Sequence, residues 1–510
     1  MTTREIARLE AAVFVSGAAL MGLEIIGARV LAPVFGTSVY VWGSLITVFL
    51  ASLAAGAALG GRLADRRPEA GLLSRLLVLS ALLTWLVFAA PAPVMEFFAG
   101  AAVPDRFRSL LAALTLFAAP CTLLGMVTTF AVRLAARELS TLGAAAGRLS
   151  AISTAGSIAG TFGTTFFLIP AFATRPILFG FGVALLVAAW LVPARVTVGR
   201  ALGDVAFTAG AAAIYLLAPA SVHAPLPSGT LVYEKETAYH RIRVVDQGLR
   251  RLLYFNNMPQ GFFPVRAGLE VPSNYTDGLL LAWAVPPRMP EKAVVIGLGA
   301  GMIPSLLSAR TPGVETTSIE IDPEVVEVAR RYFGFAPDGN DRVVIGDGRR
   351  ELARQVRTAD VIVVDVLFAD SIPFHCLTKE FDELCLSKLS PDGVLAANFV
   401  GALSGKENAL FWAAAKTLGE VFPRVYVFSS ELAAGNRGFS ANAVLMATRS
   451  PLRVDRGTIA DRAAAVAGLL GRPAIQGWAA ALYDGEMRTN GLPVLTDAYS
   501  PTDALQHFRR

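Results

Sequence analysis

A bundle of about seven membrane helices, followed by a small β-rich domain and a Rossmann-like nucleotide-binding α/β domain, is the architecture this sequence predicts. Three observations carry it. The 510 residues are 54% hydrophobic and only 17% charged, with a mean hydropathy of +0.53, which is too apolar for an ordinary soluble chain. The apolar stretches precede His223, after which short strands, charged loops and amphipathic helices take over. Between residues 293 and 366, four Gly-rich or acidic strand ends follow one another in order.

Taking the elements in turn, long stretches with few charges lie at residues 11–34, 41–61, 76–97, 110–132, 152–172, 176–192 and 201–219. Each approaches the ~20 residues that cross a bilayer as a helix. Arg4 and Arg8 precede the first stretch, and no small-residue cleavage site follows soon after it, so an uncleaved helix is expected. Glu24 and Arg29 fall inside this first segment, where a charge must pair, reach the interface or face a polar path. Gly56, Gly60, Gly61, Gly156, Gly160 and Gly163 recur at spacings that mark close helix packing. GGRLADRRP at residues 60–68 resembles the loop between the second and third helices of major facilitator transporters, but about seven spans leave no room for two six-helix halves.

The net charge of +5 comes mostly from arginines flanking the apolar segments, which suits membrane topology rather than nucleic-acid binding. Arg4, Arg8, Arg62, Arg66, Arg67, Arg75, Arg133, Arg137, Arg148, Arg195 and Arg200 fall on one side of a seven-span arrangement, and Arg106, Arg108 and Arg175 on the other. The arginine-rich side should be cytoplasmic. Seven spans would then put the C-terminal part outside, away from any adenosyl nucleotide. Either one apolar segment fails to cross or the domain lies on the unexpected face; the expectation is an integral protein of the cell (inner) membrane with a cytoplasmic C-terminal domain, because nucleotide supply is a harder constraint than the charge rule. Cys121, Cys376 and Cys385 have no metal-ligand spacing, the four histidines are scattered, and no metal site is implied.

The domain boundaries expected are 1–222 for the helices, 223–285 for the β-rich domain with a linking helix, and 286–510 for the nucleotide-binding domain. Residues 233–261, YEKETAYHRIRVVDQGLRRLLYFNNMPQG, read as alternating strands with a turn at Asp246–Gly248. AVVIGLGAGMIPSLL at residues 293–307 is an apolar strand running into Gly297, Gly299 and Gly301, where the missing Cβ atoms let backbone N–H groups approach a ligand. A second strand ends in Glu320, about 20 residues on, placed to accept from both ribose hydroxyls. Asp347 in GDG ends a third strand, where it can meet an adenine amino group, and Asp365 closes a fourth apolar run. Ligands of doubly wound sheets bind at the carboxyl ends of strands, so the four tips converge on one crevice.

On these motifs the chain from Leu231 to Gly401 resembles the spermidine synthase (polyamine aminopropyltransferase) family, and as a whole its membrane-fused branch. The resemblance implies that the Gly297, Gly299, Gly301 loop, Glu320, Asp347 and Gly348 hold decarboxylated S-adenosylmethionine or S-adenosylmethionine, used as substrate without a metal. Gln260 matches the glutamine of the DGxxQ motif and Tyr275 the tyrosine of YHE, while Asp370 resembles the second aspartate of the gate-keeping loop, at a spacing two residues too long. Aminopropyl transfer needs an amine that has lost its proton, and Asp365 fits the base. Asn256 and Asn257 stand where the family has DG, Thr276 and Asp277 follow Tyr275 where it has HE, and His240 replaces an expected glutamine. A diamine acceptor is thereby less well provided for than a neutral or membrane-bound one.

The reading is therefore a membrane-bound, spermidine-synthase-like transferase that releases methylthioadenosine. An S-adenosylmethionine methyltransferase or lyase on the same fold, and a nucleotide-binding sensor or transport regulator, are the alternatives. Expected partners are the lipid bilayer and a small-molecule amine or membrane-proximal acceptor, with no nucleic acid; a homo-oligomer is compatible with the bundle. In the closing segment PVLTDAYSPTDAL, Asp497, Tyr499 and Asp503 read as solvent-facing turn chemistry, or else as a tail over the site.

Overall fold

The computed structural model describes the chain except residues 37, 90, 137–138, 195–197, 218–228, 266–274, 312, 367–372, 401–402, 404–407, 431, 433–441, 503–504 and 506–510. It divides into two units, Met1–Pro227 with Lys235–Ala238, and Ser228–Glu234 with Tyr239–Arg510.

In the first unit, six helices among the described residues are long and apolar enough to cross a membrane, by length and composition. They are Thr3–Phe35, Val39–Arg66, Ala70–Val87, Phe107–Ala135, Leu142–Ala171 and Thr174–Leu191. The expected third span, 76–97, is divided differently: one helix covers Ala70–Ala89 and a separate short helix, Pro91–Ala99, follows. Proline has no N–H and fixes φ, so it suits the first turn of a new helix better than the interior of a long one. The seventh apolar stretch forms the helix Val198–Leu217 and is not among the six.

Four of the six glycines noted for packing do pack. A Cβ at Gly156 or Gly160 would overlap the backbone of Phe14 or Ala18 in the first helix, and one at Gly56 or Gly60 would overlap Thr122 or Met126. Gly61 and Gly163 have nothing within 4 Å of a Cβ position. Arg29 is paired inside this unit, 3.9 Å from Glu236 and donating to the carbonyl of Thr237. No hydrogen bond or ion pair reaches the carboxyl of Glu24 among the described residues.

The second unit begins with an antiparallel meander, β1 (Thr230–Glu236), β2 (Arg241–Gln247), β3 (Arg250–Phe255) and β4 (Met258–Pro264). Gly248, with φ of 60°, turns β2 into β3. Asn256 turns β3 into β4 at φ 53°, a left-handed conformation that asparagine tolerates better than most residues. Ile242, Val244, Leu253 and Phe255 form the inner face and pack on Ala300, Val325, Val328 and Phe333. The meander thereby covers the glycine loop that follows the first strand of the larger sheet.

That sheet has seven strands in the order β10-β11-β9-β8-β5-β6-β7. Its parallel part comprises β5 (Lys292–Ile296), β6 (Glu315–Glu320), β7 (Asp341–Ile345), β8 (Ala359–Val364) and β9 (Leu389–Val400). An antiparallel edge, β10 (Arg424–Ser429) and β11 (Asn442–Thr448), completes it. The central strands β5 and β8 carry the apolar runs AVVI and VIVV because both of their faces are covered. Ile362 and Val364 join the core with Phe381, Trp412 and Leu418, whereas Val361 and Val363 join the opposite core with Trp283, Ile459 and Trp478. The order of parallel strands reverses between β5 and β8, so the crevice at their carboxyl ends is where a doubly wound sheet takes its ligand.

Candidate active site

Strand register, rather than sequence proximity, assembles the site. Ile296 of β5 lies beside Ile319 of β6 and Val364 of β8, and Val364 lies beside Ala397 of β9. One residue further on, Gly297, Glu320, Asp365 and Asn398 therefore stand in a row at the strand tips. Backbone bonds fix the row: Gly297 N donates to Ile319 O at 2.8 Å, Asp365 N to Ile296 O at 2.8 Å and Gly346 N to Glu320 O at 2.9 Å.

Gly297, Gly299 and Gly301 all have positive φ, at 91°, 54° and 78°. Gly301 is also the N-cap of the helix Met302–Arg310. A Cβ at Gly297 would overlap the carbonyl oxygen of Asp365. Gly297→Ala combines that overlap with a strained φ, and should lower adenosyl-nucleotide affinity at least about tenfold in calorimetric titration while the chain still folds.

Glu320 is 6% exposed, and burial raises its pKa against the opposing pull of backbone N–H groups. Its Oε2 accepts from Leu298 N and its Oε1 from Asp322 N, each at 3.0 Å. One carboxylate thus ties the glycine loop to the β6 tip. A carboxylate offers about four lone-pair sites, so acceptor capacity remains for a ribose diol.

Asp347 caps the helix Gly348–Arg354, accepting from Arg350 N at 2.9 Å through Oδ1, while Oδ2 lies 3.1 Å from His375 Nε2. Gly348 is pressed against Ile296, where a Cβ would overlap the isoleucine side chain. Beside this pair, Arg349 donates to His375 O at 3.0 Å and forms a bidentate ion pair with Asp497, both bonds 2.7 Å, which holds Asp497 below the usual carboxylate range. Asp497 also accepts from Thr378 Oγ1 at 2.7 Å, and buried Leu495 accepts from Lys379 N. The closing segment is therefore fastened next to the Asp347 tip instead of standing free as a turn. Tyr499 does face solvent, at 61% exposure, and Asp503 lies outside the described residues.

Asp365 is half-buried, its surroundings dense enough to push its pKa up to about 6 against hydrogen bonds from Asn398 and Tyr275. Asn398 Nδ2 donates to its Oδ1 at 3.0 Å. Tyr275 opens the helix Tyr275–Leu280, and its hydroxyl both lies beside Asp365 and donates to the backbone carbonyl of Gln260 at 3.0 Å. The side chain of Gln260 turns instead to Met258 O, at 3.3 Å. Tyr275, Gln260 and Asp365 are thus brought together with the glycine loop and Glu320. Asp370 lies outside the described residues.

The departures from the DGxxQ and YHE patterns have local causes. Asn256 Oδ1 accepts from Arg241 N at 3.1 Å, so this side chain ties the β3–β4 turn to the start of β2. Asp277 is fully buried in a bidentate pair with Arg472, at 2.6 and 2.7 Å. His240 stacks on Phe255 with ring centres 4.4 Å apart. Sequence reasoning missed Asn398, His375, Arg349 and Arg472, which carry no short-range motif.

Fold and strand tips together define a doubly wound α/β domain with a half-buried carboxylate at its switch point. Residues 286–432 match the Spermine/spermidine synthase domain. The polyamine aminopropyltransferase of Vibrio vulnificus (strain CMCP6) is 36% identical over 151 residues, covering 29% of this chain and 49% of that protein. The N-terminal histidine N-methyltransferase of Emericella nidulans is 34% identical over 165 residues, covering 31% of this chain and 28% of that protein. The chain thus spans less than half the length of either relative. The crystal structure of a probable spermidine synthase from Corynebacterium glutamicum ATCC 13032 is similar over 53% of this chain and 99% of that one, at 19% identity and a TM-score of 0.39.

Proposed function

We propose that the protein is a membrane-bound transferase of the spermidine synthase type, which moves an aminopropyl group from decarboxylated S-adenosylmethionine to an amine. The observation that carries the reading is Asp365, a carboxylate at the switch point beside the glycine loop, with its pKa pushed up to about 6. Such a group is a carboxylate at neutral pH and basic enough to take a proton from an ammonium. The acceptor nitrogen gives its proton to Asp365. Its lone pair then forms a bond to the propyl carbon next to the sulfonium, and the carbon–sulfur bond breaks with its electron pair going to sulfur. The products are methylthioadenosine and the alkylated amine. Gly297, Gly299, Gly301 and Glu320 hold the nucleoside, Asp347 and Gly348 form the adenine side, and Tyr275 and Gln260 border the reacting end.

A second reading, methyl transfer from intact S-adenosylmethionine, is favoured by one observation: Asn256 and Asp277 are committed to structural contacts, which leaves the diamine side short of carboxylates. The methyltransferase relative is consistent with it. Incubating the full chain in detergent or lipid with S-adenosylmethionine or its decarboxylated form, with and without polyamines and membrane lipid, separates the readings. Methylthioadenosine made only with an amine supports aminopropyl transfer. S-adenosylhomocysteine identifies methyl transfer, methylthioadenosine without acceptor a lyase, and binding without turnover a sensor.

We also place the second unit on the cytoplasmic face of the cell (inner) membrane. Six crossings, an even number, put it on the same side as the arginine-rich N-terminus. Protease added to right-side-out vesicles should then leave the C-terminal unit intact; its digestion from outside would overturn the assignment.

A further inference from the structure

The carboxylate of Asp365 is one end of a hydrogen-bonded chain that crosses three strands. Asn398, 3% exposed at the β9 tip, donates through Nδ2 to Asp365 Oδ1 at 3.0 Å. Its own Oδ1 accepts from Asn442 Nδ2, also at 3.0 Å. Asn442 opens β11, and its backbone N–H is held in turn by Ser430 Oγ at 3.0 Å. The Asp365 carboxylate, which can only accept, sets the sense of both amides. Asn398 turns its NH₂ toward Asp365, which leaves its oxygen to accept from the Asn442 NH₂, whereas the flipped Asn398 amide would set an oxygen against a carboxylate.

We infer that Asn398 and Asn442 are positioning residues, a relay that holds the Asp365 carboxylate in the orientation in which it takes the acceptor's proton. The inference rests on the reading of Asp365 as the base. Its physical content is a balance of opposed effects. Burial drives Asp365 toward its neutral form, and the Asn398 amide, which can only donate to it, favours the carboxylate. Tyr275 acts in the same sense, but its single hydroxyl proton also serves Gln260 O. Among the described residues, Tyr275 is the titratable group facing Asp365 from its helix, while β5 presents Gly297 and β9 presents Asn398, neither of which titrates.

The test is a pH titration of the full chain in detergent. The Asp365 carboxyl band is followed by infrared difference spectroscopy and assigned by its loss in Asp365→Asn. In Asn398→Leu the midpoint should move up from about 6 by about one to two pH units, the worth of one hydrogen bond to a charged group. Asn442→Leu should move it the same way by less. The acid limb of the turnover profile should shift in parallel, with S-adenosylmethionine affinity unchanged. An unmoved midpoint in the Asn398 variant overturns the relay. If that variant fails to fold, an unmoved midpoint in Asn442→Leu does the same. An Asp365→Asn protein that still turns over refutes the base assignment instead, a result distinguishable from either midpoint.

Discussion

Asp365→Asn is expected to lower turnover by about 10²–10⁴-fold, the usual worth of a positioned general base, while adenosyl-nucleotide affinity stays within about twofold. The split follows from position. Asp365 N donates to Ile296 O and Asn398 donates to the side chain, and neither bond needs a negative charge on residue 365. The substitution keeps size and fold but removes the lone pair that receives the proton. In the wild-type protein, activity should fall as pH drops through about 6, because the raised pKa leaves the base protonated below that value. The acid limb should vanish in the residual activity of the variant. A turnover assay from pH 5 to 9, paired with calorimetric titration, checks both halves. An equal loss in affinity and turnover would show that Asp365 builds the pocket rather than acting in it.

How much of this site could be read from the sequence depends on how far apart its partners lie along the chain. Gly297, Glu320, Asp347 and Asp365 each stand at or just past the end of a parallel strand, and alignment of such strands brings their ends together whatever the rest of the chain does. The fold class and the convergence of these tips were legible for that reason. Asn398 sits 33 residues from Asp365 and Asn442 lies 44 beyond Asn398, and their meeting depends on the register of β9 against both β8 and β11. Arg349 and Asp497 are 148 residues apart, so the closing segment could be read as turn chemistry or as a tail over the site, but not paired with the residue that fastens it. In the helical unit, apolar length located the spans, but their ends follow local chain features that a hydropathy run passes over.

The pair Asp277–Arg472 is the second large expectation, this time on stability. Both residues are buried, 0% and 8% exposed, in a bidentate pair across 195 residues of chain. Replacing either partner alone, Asp277→Leu or Arg472→Met, leaves a charge without its counter-ion in the core and should cost about 3–5 kcal/mol. That is a large part of the ~5–15 kcal/mol that holds a domain together. The double variant Asp277→Leu/Arg472→Met should recover most of the loss, since an apolar pair of similar volume avoids desolvating two charges. Denaturant unfolding of the four proteins gives the coupling directly. The comparison also bears on the acceptor. Asp277 stands where the family's YHE glutamate is expected, two residues after Tyr275 on the same short helix. A carboxylate there that served an acceptor amine would lose turnover in the double variant as completely as in the single ones. One spent on Arg472 would regain turnover together with stability, because restoring the helix restores Tyr275 to its place beside Asp365. The second outcome is the one expected, and it would leave Asp365 as the carboxylate on which the acceptor amine depends.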